Sequence, residues 1–235
     1  MKTRTVTSLA LGLALSLPAV AAADDLVVIE AKGLDLQPGQ VIDSAAPVTL
    51  PEGANLVLIT ADGSQVTLTG PFQGVPVSGE GGGSNSVVTS LAGLIAGRDA
   101  DTSSLGAVRD AGAPAELPAP WLVDATVGGS GCFKAADGVV LWRPSAEADA
   151  EIAFMPADRA WTAGTVWPAG EASLGLGTEA PFEDGATFLF ELGGVASAVT
   201  LHIMPETLVN DRMVAGWMKA KGCERQAKAL AKTLQ

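Results

Sequence analysis

A β-hairpin pattern between residues 54 and 72 constrains the fold of this chain more than any other stretch. Two β-prone runs, Leu-Val-Leu-Ile at 56–59 and Val-Thr-Leu at 66–68, flank the pair Asp62-Gly63. Glycine supplies the positive φ that a tight hairpin turn needs, so the pattern predicts two antiparallel strands. The same pair recurs at Asp137-Gly138 and Asp184-Gly185, each before another β-prone run. The sequence therefore predicts a body made mainly of successive strands.

The first 23 residues have the layout of a cleavable secretory signal peptide. Lys2 and Arg4 precede an apolar stretch, which Pro18 interrupts and three alanines end just before Asp24. This stretch is shorter than the roughly 20 consecutive apolar residues that span a bilayer, so a cleaved signal is favoured over a membrane anchor. No later part of the sequence is long and apolar enough to cross a membrane. We expect a periplasmic or secreted protein.

The charge of the chain is strongly acidic and unevenly distributed. It carries 14 basic and 26 acidic residues, a formal net charge of −12, which argues against nucleic-acid binding because such a surface repels phosphate. The last thirty residues have the opposite balance, with six basic and three acidic side chains. This basic tail can dock on the acidic body of the same chain or on an acidic partner. Docking within the chain is favoured because it needs no second molecule.

Cys132 and Cys223 are the two cysteines of the sequence. An even cysteine count in an exported protein predicts a disulfide, and the separation is unlike the Cys-x-x-Cys spacing of redox pairs. The bond would close a loop of about 90 residues, for which chain entropy gives roughly 4–5 kcal/mol as an upper value.

Residues 24–77 form the first predicted unit, with short strands at 26–29, 41–42 and 48–50 before the hairpin. This unit contains four successive motifs of apolar residues and glycine, which are Gly33-x-x-Leu-x-x-Gly39, Val48-Thr-Leu-Pro-x-Gly-Ala54, Leu56-x-Leu-x-x-x-Asp-Gly63 and Leu68-x-Gly-Pro71. Over about 45 residues this run resembles the FecR-type periplasmic β-module. The resemblance implies a β-rich unit that works outside the cytoplasmic membrane.

Residues 78–118 are predicted to form a Gly-rich linker with one short helix. The stretch 78–86 lacks the lysine and Ser/Thr of a phosphate-binding loop, so a flexible connection is favoured. Ser86 can cap a helix over 87–96 that has an apolar stripe. The oxygens between Asp99 and Asp110 are spaced like a calcium loop but lack its central glycine and final glutamate, which favours a solvated connector.

Residues 119–204 are predicted to form a β-sandwich, because β-prone runs recur about every ten residues between Gly, Pro and Asp turns. We expect an immunoglobulin- or fibronectin type III-like arrangement, and this part is similar to bacterial exported proteins with such a sandwich. The predicted strands are 121–126, 132–134, 139–142, 151–155, 165–167, 173–176, 188–192 and 199–203.

A helical hairpin is predicted over residues 205–235, where the apolar period changes after Pro205. Gly222 is the expected helix end and Cys223 begins the second helix, so the disulfide would pin the hairpin against the sandwich. The two predicted apolar stripes are Leu208, Val209, Met213, Val214 and Trp217, and then Ala227, Leu230, Ala231 and Leu234.

The residues that could carry chemistry form no framing motif. A single histidine, His202, argues against multi-histidine zinc or copper sites; with Met204 it could at most form a weak copper(I) site. The acidic pairs Asp149 with Glu151, and Glu183 with Asp184, read as solvated turns. Large aromatic side chains in a sandwich usually belong to the core, but three tryptophans form a possible ligand platform. They are Trp142, Trp161 and Trp167.

The sequence as a whole favours a mostly β, exported and non-enzymatic protein without catalytic residues, cofactor or metal. We expect a protein–protein interaction or scaffold role in the cell envelope, with sensing as one form of it and an envelope protein as partner. Two alternatives stay open. The chain could be a glycan- or small-ligand-binding module, or a hydrolase that uses paired carboxylates.

Overall fold

The computed structural model describes residues 25–77, 86–90 and 114–234. As predicted, these residues form a mostly β protein with two helices at the C-terminal end. The predicted signal peptide, the calcium-like stretch at 99–110 and most of the linker lie outside the described residues. The strands are β1 (Asp25–Lys32), β2 (Val41–Asp43), β3 (Val48–Leu50), β4 (Asn55–Ile59), β5 (Gln65–Thr69), β6 (Phe72–Gly74), β7 (Ser86–Thr89), β8 (Leu122–Asp124), β9 (Gly129–Phe133), β10 (Val140–Trp142), β11 (Ala150–Pro156), β12 (Ala163–Trp167), β13 (Ser173–Gly175), β14 (Thr187–Leu192) and β15 (Val195–Ile203), and the helices are α1 (Asp211–Ala220) and α2 (Glu224–Thr233).

The N-terminal sheet is antiparallel, in the order β2-β1-β4-β5-β7, and a two-stranded ribbon of β3 and β6 packs on one of its faces. The Asp62-Gly63 hairpin joins β4 to β5 as predicted, and Gly63 has a φ of 82°. Side chains of β1 alternate between two buried environments. Leu26 and Val28 face the core shared with the ribbon, whereas Val27 and Ile29 belong to a second cluster on the opposite face. The N-terminal sheet is therefore covered on both sides.

Two further sheets pack face to face as a sandwich. The short sheet has the order β13-β10-β8, and the long sheet has the order β12-β11-β14-β15-β9. Their common core contains Phe154, Trp167, Phe188 and Phe190. Every strand predicted from the second half of the sequence is present. Two pairings, β8 with β10 and β9 with β15, are parallel, which local sequence patterns do not encode.

The C-terminal helices form the predicted hairpin. The side chain of Asn210 accepts a hydrogen bond from the Met213 N–H at the start of α1, and Gly222 has a φ of 78° in the turn before α2. Both features are usual helix-end devices. Two members of the predicted stripes are exposed rather than buried: Val209, just before the cap of α1, is 82% exposed, and Leu234, just after the end of α2, is 38% exposed.

The hairpin packs on both β units rather than on the sandwich alone. Its apolar stripe covers the face of the N-terminal sheet that carries Val27 and Ile29, in a cluster that also contains Cys132 of the long sheet. Thr207 donates to the Gly39 carbonyl at 2.9 Å, and Asn210 donates to the Ala61 carbonyl at 3.2 Å. The hairpin therefore connects the two β units, and the predicted division into two β domains is not confirmed.

Three local predictions differ from the structure. The described beginning of the predicted 87–96 helix is strand β7, which pairs with β5 because the edge of the N-terminal sheet supplies backbone partners there. Asp137-Gly138 lies between β9 and β10, which belong to different sheets, and Asp184-Gly185 lies between β13 and β14, which also do. Neither pair closes a hairpin. A turn motif reverses the direction of the chain locally, but it does not determine which strands pair with each other.

Candidate functional site

A cleft of about 450 Å³ lies between α2, the segment 114–117, β8 and the beginning of β9. Its volume is within the range of roughly 300–1,000 Å³ that is usual for small-ligand sites. The cleft is lined both by apolar side chains, such as Leu117 and Leu122, and by charged ones from α1 and α2.

An ion pair between a buried carboxylate, Asp124, and a partly exposed guanidinium, Arg225, forms one wall of the cleft. Asp124, which is 6% exposed, accepts a hydrogen bond from Arg225 Nη1 at 2.8 Å and two from Thr126, through its N–H at 2.8 Å and its hydroxyl at 2.6 Å. Arg225 Nη2 donates to the Ala115 carbonyl, which holds the 114–117 segment against α2. The Nε of Arg225 is buried and has no hydrogen-bond partner among the described residues.

Exposed ion pairs form the rim. Lys232 Nζ lies 2.6 Å from Glu116 Oε2, and Lys228 Nζ lies 3.7 Å from Glu116 Oε1. The hydrogen bond from Lys232 is the main cause of a lowered pKa at Glu116. Together with the Asp124–Arg225 pair, these contacts show that the basic tail docks within its own chain, as the charge asymmetry predicts.

Gln226 and the disulfide anchor α2 at the edge of the long sheet. The Cys132 N–H donates to Gln226 Oε1, and Gln226 Nε2 donates to the Cys132 carbonyl, both at 2.7 Å. The side-chain amide thus takes the place of a neighbouring strand along β9. The predicted Cys132–Cys223 disulfide is confirmed and joins the same strand to the beginning of α2.

Lys219 is a cationic residue of the cleft that forms no ion pair with a described residue. Its side chain extends from the last turn of α1 and lines the cleft, although the residue is only 5% exposed. Within the described part of the chain, its ammonium group has no carboxylate or other acceptor.

A second candidate surface lies at the opposite edge of the long sheet, beside β12. We call it the β12 groove; it is shallow and lies next to Val166, which is 55% exposed. Glu151 and Glu191 are exposed along it, and none of the described residues that line it is basic. Its lining residues are Glu151, Ile152, Ala153, Gly164, Thr165, Val166, Glu191, Gly193 and Gly194.

Two of the three tryptophans of the possible ligand platform, Trp161 and Trp167, lie in or against the sandwich core. Trp142 and Trp167 are buried, and the Arg143 guanidinium lies 4.8 Å from the centre of the Trp167 ring. Trp161 is half-buried and packs edge-on against Phe154 at 5.9 Å. None of the described ring contacts joins two of these tryptophans, so a shared platform would require the buried Trp142 and Trp167 to become exposed.

His202 lies on β15 opposite Cys132, close to the disulfide. Its Nδ1 lies 3.9 Å from Asp184 Oδ1 and has no hydrogen-bond partner among the described residues. Burial, reinforced by Lys221, lowers the pKa of His202, and Asp184 opposes this shift. His202 is therefore held toward its neutral form.

The carboxylates of the hydrolase alternative have structural contacts. Asp149 accepts a hydrogen bond from the Ala169 N–H at 2.8 Å, and Asp184 accepts one from the Ile203 N–H at 2.8 Å. Across residues 25–77, 86–90 and 114–234, no group of three or more His, Cys, Asp and Glu side chains is placed to hold a metal ion. None of the helices in these ranges has the length and hydropathy that a membrane span requires.

Sequence reasoning missed the cleft, although one signal was present. Gln226 lies three residues after Cys223 and four before Leu230, on the buried side of α2. A polar residue inside an apolar stripe indicates a specific buried partner. Comparison with known proteins identified no relative, since no protein-family model, curated protein or solved structure matches this chain.

Proposed function

We propose that this chain is an exported, non-enzymatic protein-interaction module that serves as a scaffold or sensing component in the cell envelope. The signal-peptide pattern of residues 1–23 supports export, and the FecR-like pattern of residues 24–77 supports work outside the cytoplasmic membrane. The interaction itself is proposed from β12.

Strand β12 is the observation that carries this proposal. It ends the long sheet and, within the described residues, pairs only with β11. Its sequence, Ala-Gly-Thr-Val-Trp, contains no proline or charged residue, and its first four residues are exposed. Natural proteins usually protect such edges with charges, prolines or bulges, because an open edge accepts another strand. An unprotected edge is suited to binding an extended segment of a partner.

The groove beside this edge defines the chemistry of the partner. Glu151 lies opposite Val166 in the β11–β12 register, so the carboxylate and the exposed valine share one face of the sheet. Glu191 lies opposite Ala153 on the next strand and faces the same way. We therefore infer an extended partner segment with an apolar side chain against Val166 and a lysine or arginine that reaches the two glutamates.

Site-specific photo-crosslinking in cells that export the protein tests this proposal. A photoreactive amino acid replaces Val166 in one variant and Val209 in a second. Val209 is a matched control because it is also an exposed valine, but it lies outside the β12 groove. The partner captured at position 166 is then purified and titrated against the wild type, Val166→Lys, Glu151→Lys and Val209→Lys.

The proposal requires a protein that crosslinks at position 166 and not at 209. Val166→Lys and Glu151→Lys should each weaken its binding at least tenfold, while Val209→Lys should leave the affinity unchanged. Equal affinity for wild type and Val166→Lys would refute binding at the β12 edge. Crosslinking of the chain only to itself would replace the partner by a second copy and also overturn the proposal.

A further inference from the structure

The loop between β11 and β12 leads directly into the open edge strand and contains an arginine with a strained backbone. Arg159 has a φ of 57°, and no other described residue except glycine has a positive φ. Its N–H donates to the Pro156 carbonyl at 2.8 Å, which closes a four-residue turn with Arg159 at the last position. Glycine is favoured at this position because it adopts a positive φ without strain. A larger residue in such a conformation often marks a binding site.

The guanidinium of Arg159 is available to an external group. Arg159 is exposed, and across residues 25–77, 86–90 and 114–234 it forms no ion pair and no side-chain hydrogen bond. The adjacent carboxylate of Asp158 accepts a hydrogen bond from the Ala160 N–H at 3.0 Å, so its contact is with the backbone of the loop. Arg159 therefore presents an unpaired positive charge just before β12 begins.

The charges at the two ends of β12 are opposite. Glu151 and Glu191 line the β12 groove next to Val166, near the C-terminal end of the strand. Arg159 lies beyond the other end, where its N–H contacts Pro156 at the end of β11. The five positions from Glu151 to Pro156 span about 17 Å, at roughly 3.4 Å per residue. An extended peptide covers this distance in about five residues.

Trp161 adds an apolar surface between the arginine and β12. It is half-buried, and its ring packs against Phe154 at 5.9 Å and against Phe188 at 6.1 Å on the core side of the sheet. It immediately precedes residues 162–166, which are all exposed. A strand that pairs with β12 would place alternate side chains on two faces, one set against Val166 and the other toward Trp161. Apolar side chains in both sets would cover exposed apolar surface.

We propose that the β12 edge selects an extended segment that carries opposite charges at its two ends. This inference rests on the proposed function and specifies the partner of the same edge. A lysine or arginine of the segment lies at the two glutamates, and an aspartate or glutamate about five residues away pairs with the Arg159 guanidinium. Apolar side chains between them cover Val166 and Trp161. A segment with lysine at both ends meets repulsion at Arg159 and binds more weakly.

Titration of the purified protein with labelled peptides, followed by fluorescence anisotropy, tests this selection. The peptides Lys-Thr-Val-Val-Thr-Glu and Glu-Thr-Val-Val-Thr-Lys carry both charges in the two possible strand directions, and Lys-Thr-Val-Val-Thr-Lys carries two positive charges. Salt at about 0.15 M screens the long-range attraction between the acidic protein and the doubly basic peptide. Each variant is described by the ratio of its affinities for the better bipolar peptide and the doubly basic peptide. A partial loss of folded protein cancels in this ratio.

Three variants separate the charge of Arg159 from its backbone conformation and from the net charge of the protein. Arg159→Gly removes the charge and relieves the strain, and Arg159→Glu reverses the charge. Arg212→Glu is the matched control, because Arg212 is also an exposed arginine but lies on α1.

We expect the wild type and Arg212→Glu to bind the better bipolar peptide at least about threefold more tightly than the doubly basic peptide, as one exposed ion pair replaced by a repulsive contact would give. Arg159→Gly should lose this preference, and Arg159→Glu should reverse it. An unchanged preference in Arg159→Glu, or a wild type that binds the doubly basic peptide equally well, would overturn the inference.

Val166→Lys distinguishes failure of this inference from failure of the proposed function. It should weaken the binding of both bipolar peptides at least tenfold. If it does so while Arg159→Glu keeps the wild-type preference, β12 binds strands but Arg159 does not select them. A wild type that binds none of the three peptides would also overturn the inference, and the photo-crosslinking at position 166 would then decide the proposed function separately.

Discussion

Replacing Gln226 by methionine tests how the helical hairpin is held against the long sheet. Methionine has a similar length and leaves little room for a replacing water, but it removes both hydrogen bonds to the Cys132 backbone. Gln226 is 3% exposed and Cys132 is fully buried, so the N–H and the carbonyl of Cys132 would lose their partners in a dry environment. Each buried backbone group left unsatisfied costs about 1–3 kcal/mol. We therefore expect the free energy of unfolding to fall by about 2–6 kcal/mol.

Urea unfolding followed by tryptophan fluorescence measures this loss, provided that the slope of the transition is unchanged. Gln65→Met is the matched control. Gln65 donates one 3.1 Å hydrogen bond to the Thr67 hydroxyl at a half-buried position, where water can replace it. This control should stay within about 0.5 kcal/mol of the wild type. A Gln226→Met variant as stable as the control would show that the amide does not complete the edge of β9.

Gln226→Glu extends the same test through pH. A glutamate carboxylate can accept from the Cys132 N–H but would face the Cys132 carbonyl without a proton to donate. The protonated acid restores the donor, so burial and this contact both favour the neutral form. The stability of Gln226→Glu relative to the wild type should therefore rise as pH falls. A difference that is independent of pH between 4 and 7 would contradict the geometry at Cys132.

Three further predictions concern the same region. Gly216→Ala should destabilise the protein by about 1–3 kcal/mol in urea unfolding, although helix propensity alone favours alanine, because the added Cβ would lie 2.4 Å from the Gly63 carbonyl oxygen; a more stable variant would refute this close approach. Replacing Cys132 and Cys223 by alanine should cost about 2–5 kcal/mol, since the bond closes a loop with a sequence separation of 91, and a loss below 1 kcal/mol would contradict that role. Because burial lowers the pKa of His202 in the folded state, stability should decline as pH falls below the unfolded value of about 6.5 and level off below the folded pKa; His202→Gln should lack this component, and identical pH profiles would refute it.

Local sequence patterns predicted elements better than they predicted pairing. The hairpin at Asp62-Gly63, the strands of the sandwich and the helix end at Gly222 follow from turn chemistry and apolar periodicity. The Gly193-Gly194 turn between β14 and β15 was missed, although both glycines have positive φ, because glycine pairs are equally common in linkers. The parallel pairing of β9 with β15 depends on contacts between residues about 70 positions apart, which no local pattern contains.

The candidate sites were predicted only where covalent chemistry or charge marked them. The disulfide followed from cysteine count and compartment, and the docking of the basic tail followed from its charge. The sequence did not indicate the low exposure of Lys219, because long cationic side chains at the end of a helix are usually solvated. The sequence did not indicate that β12 is an exposed edge strand either, since side chains alternate in the same way along edge and central strands.

The central claim is that the docked hairpin joins the two β units and forms one wall of the cleft. The most direct test is to measure how much the hairpin stabilises the N-terminal sheet. Amide hydrogen exchange of β1 and β4 can be compared between the wild type and the protein in which Cys132 and Cys223 are replaced by alanine. We predict that loss of the disulfide accelerates exchange in α1, β1 and β4 together, because Val27 and Ile59 share one buried cluster with the hairpin. Fast exchange in both helices with unchanged protection of β1 and β4 would contradict a hairpin shared by the two β units.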